Sequence, residues 1–369
     1  MNILLDFGAI KTGGGVQLAL NFLDHVEYSP LRDHNLTLAV PDIGPLSTRR
    51  YGPLFERVIT SPRSYLARLF FEYFRLQRIM RTEKIDAVFT FFGAGLPHPK
   101  RIVSLVTVAY PIICYPESPY WGYISWRRKV RIRALNFLRK HRLKSASKII
   151  AETEVMKSRL ATTLRCEPDK IVVIPPAPTD YVTPRDTDRR GKVFLFPSGN
   201  DDHKNLWRLY SVAQCLLAKG MNDFLFVLTV DRGSYMRKLR ETAIDEQILD
   251  KNFHFIGSIS PDRIMDLYNL GDYVVSLSDL ESFSNNYMEA WKVGIPLIAS
   301  DRDFARGICG DGALYVEPHV ADDVADKFIA VTENANLRAR LVESGRERLT
   351  RLPSPDERFA LVARELLSR

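Results

Sequence analysis

Glu281-Ser-Phe-Ser-Asn-Asn-Tyr-Met-Glu289-Ala-Trp-Lys-Val-Gly294-Ile-Pro296 is the stretch from which the fold can be read. An apolar run over 273–277 precedes it and predicts a strand, and Ser284 or Asn285 suits the N-cap of a following helix. Gly294 ends that helix and Pro296 opens the next apolar run. Strand, loop, helix and strand in this order form the repeat of a parallel sheet. A helix N-terminus behind a parallel strand offers backbone N–H groups and partial positive charge to a phosphate. Glu281 stands in the loop before it, and Glu289 one turn inside, its side chain tilted back toward the N-terminus. Spacing alone leaves two readings open. Either the two carboxylates accept hydrogen bonds from sugar and ribose hydroxyls flanking bound phosphates, or Glu281 is solvated and Glu289 favours the helix dipole.

The same alternation runs outward in both directions. Apolar runs at 3–7, 36–40, 87–91, 102–108, 148–151 and 171–174 predict strands of a first half. Those at 193–196, 224–230, 253–256, 273–277 and 296–299 predict strands of a second, with helical patterns between most of them, as at 15–26 and 205–219. The expected class is therefore α/β, with two parallel-sheet domains. A chain of 369 residues is too long for one ordinary core. The break follows Ile174-Pro-Pro-Ala-Pro178, giving a first domain over 1–175, a linker over 176–191 and a second domain over 192–352. The segment 353–369 predicts a last helix with Phe359, Val362 and Leu366 on one face. It either caps the second domain or crosses back to the first.

Composition narrows the class. With 46% hydrophobic and 26% charged residues, the chain reads as a globular protein. The start, Met1-Asn-Ile-Leu-Leu-Asp-Phe-Gly8, lacks the pattern of a signal peptide, and no uninterrupted apolar run reaches about 18 residues, so no transmembrane helix is expected. Cys114, Cys166, Cys215 and Cys309 lack metal-ligand spacing and read as reduced thiols of a cytosolic protein. The net charge of +8 is local, since 127–148 holds ten Lys or Arg residues and no Asp or Glu. A polyanionic partner surface follows.

Two more segments suit phosphate chemistry. After the run 193–196 comes Pro197-Ser-Gly199-Asn200-Asp-Asp-His-Lys204-Asn205, which places an ammonium at the expected mouth of the helix 205–219. There it would neutralise a diphosphate and stabilise its departure. Gly13-Gly14-Gly15 lies between the first strand and the first helix, where glycines let backbone approach a ligand closely, although an ordinary loop looks the same.

These pieces resemble glycosyltransferase family 4. Its Glu–x7–Glu motif, followed by Ala and Gly-x-Pro, is matched from Glu281 to Pro296, and the junction Ile174-Pro-Pro, the step 146–157 and the run from His254-Phe-Ile-Gly257 to Gly271-Asp-Tyr fall in family order. The resemblance implies the GT-B fold, with two Rossmann-like domains facing a cleft, a nucleotide-sugar donor, retention of anomeric configuration and no required metal or other cofactor. It implies contact of Glu281 with the donor sugar and of Glu289 with the ribose. Ser284 and Asn285 would then face the diphosphate beside Lys204, with Gly14, Gly15, Gly199, Asn200 and Gly257 completing the donor site. Two departures stand out. Asn200 occupies the position where the family usually has Arg. The family His after the strand 105–108 is missing, leaving Tyr110 or His98 to fill its catalytic role. Among Asp-x-Asp pairs, Asp186/Asp188 falls in the linker, and only Asp301/Asp303 lies where a metal-dependent transferase would use it.

A membrane-facing surface is expected on the first domain. Over 64–81 a helical pattern sets Leu66, Leu69, Phe70, Tyr73, Phe74 and Met80 against Arg68, Arg75, Arg78 and Arg81. Tyr120, Trp121, Tyr123 and Trp126 introduce the basic segment. Aromatics beside cations suit an anionic bilayer surface and a lipid-linked or glycan acceptor, with the enzyme cytoplasmic and peripheral on the inner face. No nucleic-acid module is visible. A GT-B nucleotide-sugar epimerase acting on a soluble donor is the rival activity.

Overall fold

The computed structural model describes residues 1–11, 14–185, 191–240 and 243–368. Gly13, Asp186 and Asp188 thus lie outside the described residues, as does part of the expected linker. The chain forms two compact units, one of Met1–Pro116, Ser125–Ala177 and Pro353–Arg369, the other of Glu117–Ile124 and Pro178–Leu352.

The first unit is built on seven parallel strands: β1 (Asn2–Asp6), β2 (Asn35–Pro41), β3 (Phe55–Ser61), β4 (Ala87–Thr90), β5 (Val103–Thr107), β6 (Lys148–Ala151) and β7 (Ile171–Val173). Their spatial order is β3-β2-β1-β4-β5-β6-β7, so the winding reverses between β1 and β4. The strand Phe55–Ser61 was not legible, because it lies on an edge and exposes Glu56, Arg57 and Thr60 together with Val58. The last helix, Pro355–Leu367, belongs to this unit, where Phe359, Val362 and Leu366 enter the core and Phe359 packs on Phe22 with ring centroids 4.4 Å apart. Ser354 and Glu357 close a capping box at its start.

The second unit carries six parallel strands: β8 (Val193–Phe196), β9 (Leu225–Leu228), β10 (Phe253–Phe255), β11 (Tyr273–Ser276), β12 (Leu297–Ser300) and β13 (Leu314–Val316). The order β10-β9-β8-β11-β12-β13 reverses between β8 and β11. Glu117–Ile124 belongs here, although the expected boundary at 175 assigns it to the first domain. The reason is polar: Ser118 Oγ donates to the Asp279 carbonyl at 3.0 Å and the Tyr123 hydroxyl to the Asp279 carboxylate at 2.7 Å.

The helix expected over 64–81 is broken by a π-turn. It runs as Tyr65–Phe70, Phe71–Arg75 and Leu76–Thr82. The added residue rotates the helix. Phe71, Leu76, Ile79 and Met80 face the core, while Leu66, Phe70 and Phe74 stand 77%, 65% and 62% exposed. Met80 therefore leaves the outward face on which the pattern placed it.

Candidate functional site

Loops behind β8 and β11 leave neighbouring strands where the winding reverses, the position at which open α/β sheets bind ligands. This topology brings together residues far apart in sequence: the Lys204 ammonium donates to Glu281 Oε1. Both side chains are largely buried. The helix Asn285–Val293 begins beside them, with Ser284 at its N-cap making no side-chain capping bond and Gly294 closing it in the left-handed region at φ 84°. Asn286 Nδ2 donates to the Pro197 carbonyl at 3.0 Å, pinning this helix start to the loop behind β8.

Glu289 sits inside that helix, buried, and accepts from the Tyr268 hydroxyl at 2.5 Å. Burial raises its carboxyl above the ordinary range, against the lowering effect of that hydrogen bond. The bond also fixes which way the carboxylate points, and it was not foreseeable from the motif.

Lys204 does not stand at the mouth of a long helix. It ends a 3-10 turn, Asp202–Lys204, and a second turn precedes the helix Leu209–Ala218. Asn205 breaks the run because it adopts a left-handed φ of 58°. Gly199 lies in an ordinary backbone conformation, with room for a Cβ up to 3.7 Å from Asp201. Asn200 is held by Ser234 and Lys238: its Nδ2 donates to the Ser234 carbonyl at 2.7 Å, and its own carbonyl accepts from Lys238 Nζ. Gly257 has φ 71° and open space about its Cα, which suits a close ligand approach.

The first unit's candidates are more dispersed. The helix Gly14–His25 starts at the glycines, and a Cβ on Gly15 would lie 3.7 Å from Ile10 and Phe92. Tyr110 stacks under the Arg139 guanidinium at 4.4 Å, and His98 Nδ1 lies 3.1 Å from the Pro99 carbonyl. No contact joins Tyr110 to His98 among the described residues. Asp301 and Asp303 do not form an open carboxylate pair: Arg306 grips both oxygens of Asp301, and Asp303 Oδ1 accepts from the Phe304 N–H at 2.8 Å.

Asp6, at the end of β1, was missed, and a carboxylate inside the apolar run Ile3-Leu-Leu-Asp6-Phe7 was the available signal. Burial pushes it up from 3.8 to about 6, partly offset by Arg68, and its Oδ2 has no hydrogen-bond partner among the described residues. A raised acid stabilises the fold fully at low pH and loses that contribution as pH rises through about 6. Asp6→Asn should therefore flatten the stability loss between about pH 4 and pH 7, by about 2–3 kcal/mol. Thermal unfolding across that range checks it, and parallel curves for the two proteins would refute it.

Two parallel-sheet units whose winding each reverses once, with a paired Lys and Glu and a helix N-terminus at the reversal point of the second, define a protein of GT-B type. Residues 12–177 match the family described as Glycosyltransferase Family 4, and 184–348 match Glycosyl transferases group 1. The chain belongs to these group 1, family 4 glycosyltransferases. It is 24% identical over 209 residues to the O-antigen chain mannosyltransferase RfbU of Salmonella typhimurium, covering 56% of this chain and 56% of that one. The match thus spans about half the length of that curated relative. Among solved structures, WaaG, a glycosyltransferase involved in lipopolysaccharide biosynthesis, superimposes with TM-score 0.75 at 13% identity over 100% of both chains. Anabaena HepE in complex with UDP and glucose superimposes with TM-score 0.69 at 16% identity over 99% of both. The sucrose-phosphate synthase of Thermosynechococcus elongatus gives 0.74 at 16% identity, over 99% of this chain and 98% of that one. These likenesses concern the fold.

Proposed function

We propose that the protein is a retaining, metal-independent hexosyltransferase that moves a sugar from a nucleoside diphosphate donor to a lipid-linked glycan at an anionic membrane surface. Surface polysaccharide or glycolipid assembly on the cytoplasmic face is its setting. The observation that carries the donor half is the meeting of Lys204 and Glu281 beside the start of helix Asn285–Val293. With donor bound, the ammonium turns to the diphosphate, the helix N–H groups share its charge, and Glu281 accepts from sugar hydroxyls. Glu289, aimed by Tyr268, takes the ribose. The bond from C1 to the leaving phosphate breaks while the acceptor oxygen bonds C1 on the same face. The leaving phosphate takes the acceptor's proton. Kinship with an O-antigen mannosyltransferase and the UDP carried by HepE support this choice of substrates.

The acceptor half rests on the first unit's surface. No helix among the described residues is long and apolar enough to cross a membrane. Leu66, Phe70 and Phe74 form an exposed stripe, the two Phe rings 4.7 Å apart, and Trp126, Val130 and Phe137 are exposed on the basic helix Trp126–Ser145. Arg142 joins the two helices, donating to Glu72 at 2.7 Å and stacking on Tyr73. Arg142 is therefore buried, and Lys148 is paired with Glu365 at 2.6 Å, so both leave the exposed charge that the count of ten suggested. Tyr120 and Tyr123 also leave it, being packed in the second unit against His203 and Trp207.

Incubation with labelled UDP-glucose or GDP-mannose and a bacterial lipid extract tests the activity. Labelled glycolipid is the expected product, whereas isomerised donor would establish the epimerase instead. Turnover should persist in excess chelator, because Lys204 and the helix dipole supply the positive charge. Complete loss in chelator, reversed by magnesium or manganese, would overturn metal independence.

A further inference from the structure

Asp279 is a carboxylate that the donor-site reading leaves unused. Its side chain is wholly buried, yet it accepts from four side chains. Asn205 Nδ2 donates at 2.7 Å, the Tyr123 hydroxyl at 2.7 Å, His319 Nε2 at 2.8 Å and Arg302 Nη2 at 3.0 Å. Arg208 donates to His319 Nδ1 at 3.2 Å, so Nε2 carries the proton directed at Asp279. Burial works against ionisation, but the hydrogen bonds from His319, Asn205 and Tyr123 bring the carboxyl down to about 2.

The partners come from different places in the fold. Asn205 follows β8, Asp279 follows β11, Arg302 follows β12 and His319 follows β13. These are four consecutive strands of the sheet, so one buried carboxylate gathers the loops at their C-terminal ends. Two of those loops carry Lys204 and Glu281. Asn205 adjoins Lys204 and holds a left-handed φ of 58°, a region open to asparagine but to few other residues with a side chain, and its surroundings hold it there. Asn205 is fully buried, and Nδ2 donates to the Leu277 carbonyl at 2.8 Å as well as to Asp279. The Asp279 N–H in turn donates to the His203 carbonyl at 2.8 Å, on the other side of Lys204. Lys204 is thus clamped on both flanks by the residue two positions before Glu281.

We propose that Asp279 is a positioning residue of the donor site, which acts through Asn205 to hold Lys204 where the donor's diphosphate lies. The proposal rests on the donor-site reading above. It predicts how variants combine. Asp279→Asn turns an amide toward the donors of His319 and Arg302 and should loosen Asn205. Asn205→Gly removes the tether while accepting the left-handed backbone without strain. Each should weaken nucleoside diphosphate binding about tenfold with stoichiometry unchanged, whereas a merely unfolding effect would lower the stoichiometry. Lys204→Ala should weaken binding further, and Asp279→Asn/Lys204→Ala should bind no worse than Lys204→Ala alone, because Asp279 has nothing left to position.

Calorimetric titration of the full chain with UDP and GDP measures all of these. Near-equal losses for Asp279→Asn and Asn205→Gly, vanishing in the Lys204→Ala background, are the expected result. Wild-type binding by Asp279→Asn, or losses that multiply with Lys204→Ala, would overturn the proposal while leaving the donor site standing. Failure of the wild-type protein to bind either nucleotide would overturn the donor-site reading and this proposal together.

Discussion

Lys204→Ala is expected to lower turnover by about a hundredfold to a thousandfold at saturating donor, the cost of removing one charged group from the proposed diphosphate site. The ion pair complicates the experiment, since the variant also leaves Glu281, largely buried, without its cation. Breaking a buried pair from one side destabilises the fold independently of any chemistry. Lys204→Ala/Glu281→Ala separates the two effects: it should recover much of the lost stability and none of the lost rate. Glu289→Ala is expected to cost a similar factor, by freeing the Tyr268 hydroxyl and removing the proposed ribose contact. Near-normal rates for Lys204→Ala and Glu289→Ala would place the donor elsewhere.

Much of this site was legible because its parts carry local signals. A polar loop between an apolar run and a helix cap, closed by Gly294 and Pro296, has one common structural solution, and Ser284, Asn285 and Gly294 fall where that solution puts them. What could not be read was any contact set by the winding of the sheet. Lys204 and Glu281 are 77 positions apart and meet only because β8 and β11 are neighbours. The same holds for Asp279 and His319, which no local pattern singles out, and for Glu117–Ile124, whose place in the second unit depends on side-chain hydrogen bonds. Periodicity failed differently at 64–81. A uniform turn of 3.6 residues lines Met80 up with Leu66, Leu69 and Tyr73, but the π-turn Phe71–Arg75 shifts the phase between them. Asp6 shows a third limit, since its importance comes from burial and not from spacing.

The phase shift bears directly on membrane binding, because it leaves Leu66, Phe70 and Phe74 in solvent while the core takes Phe71, Leu76 and Ile79. A stripe of large apolar side chains on a globular surface marks an interaction site. The helix Trp126–Ser145, joined to it through Arg142, adds exposed Trp126 and Phe137 and begins with Arg127, Arg128, Lys129 and Arg131. Two forces of different salt dependence should then act on an anionic bilayer: about 1 kcal/mol for each cation near the surface, screened by salt, and apolar insertion, which is not. Replacing those four cations by Gln, which keeps helix propensity, should reduce partition onto phosphatidylglycerol vesicles by about a hundredfold to a thousandfold at moderate salt. Phe70→Ser/Phe74→Ser should instead remove the part of binding that survives high salt. Nucleotide affinity should be unchanged in both variants, since the substituted residues belong to the first unit and the proposed donor site to the second. Co-sedimentation at two salt concentrations measures each contribution separately. If the wild-type protein ignores anionic and neutral vesicles alike, the exposed stripe serves another partner and the acceptor is a soluble one.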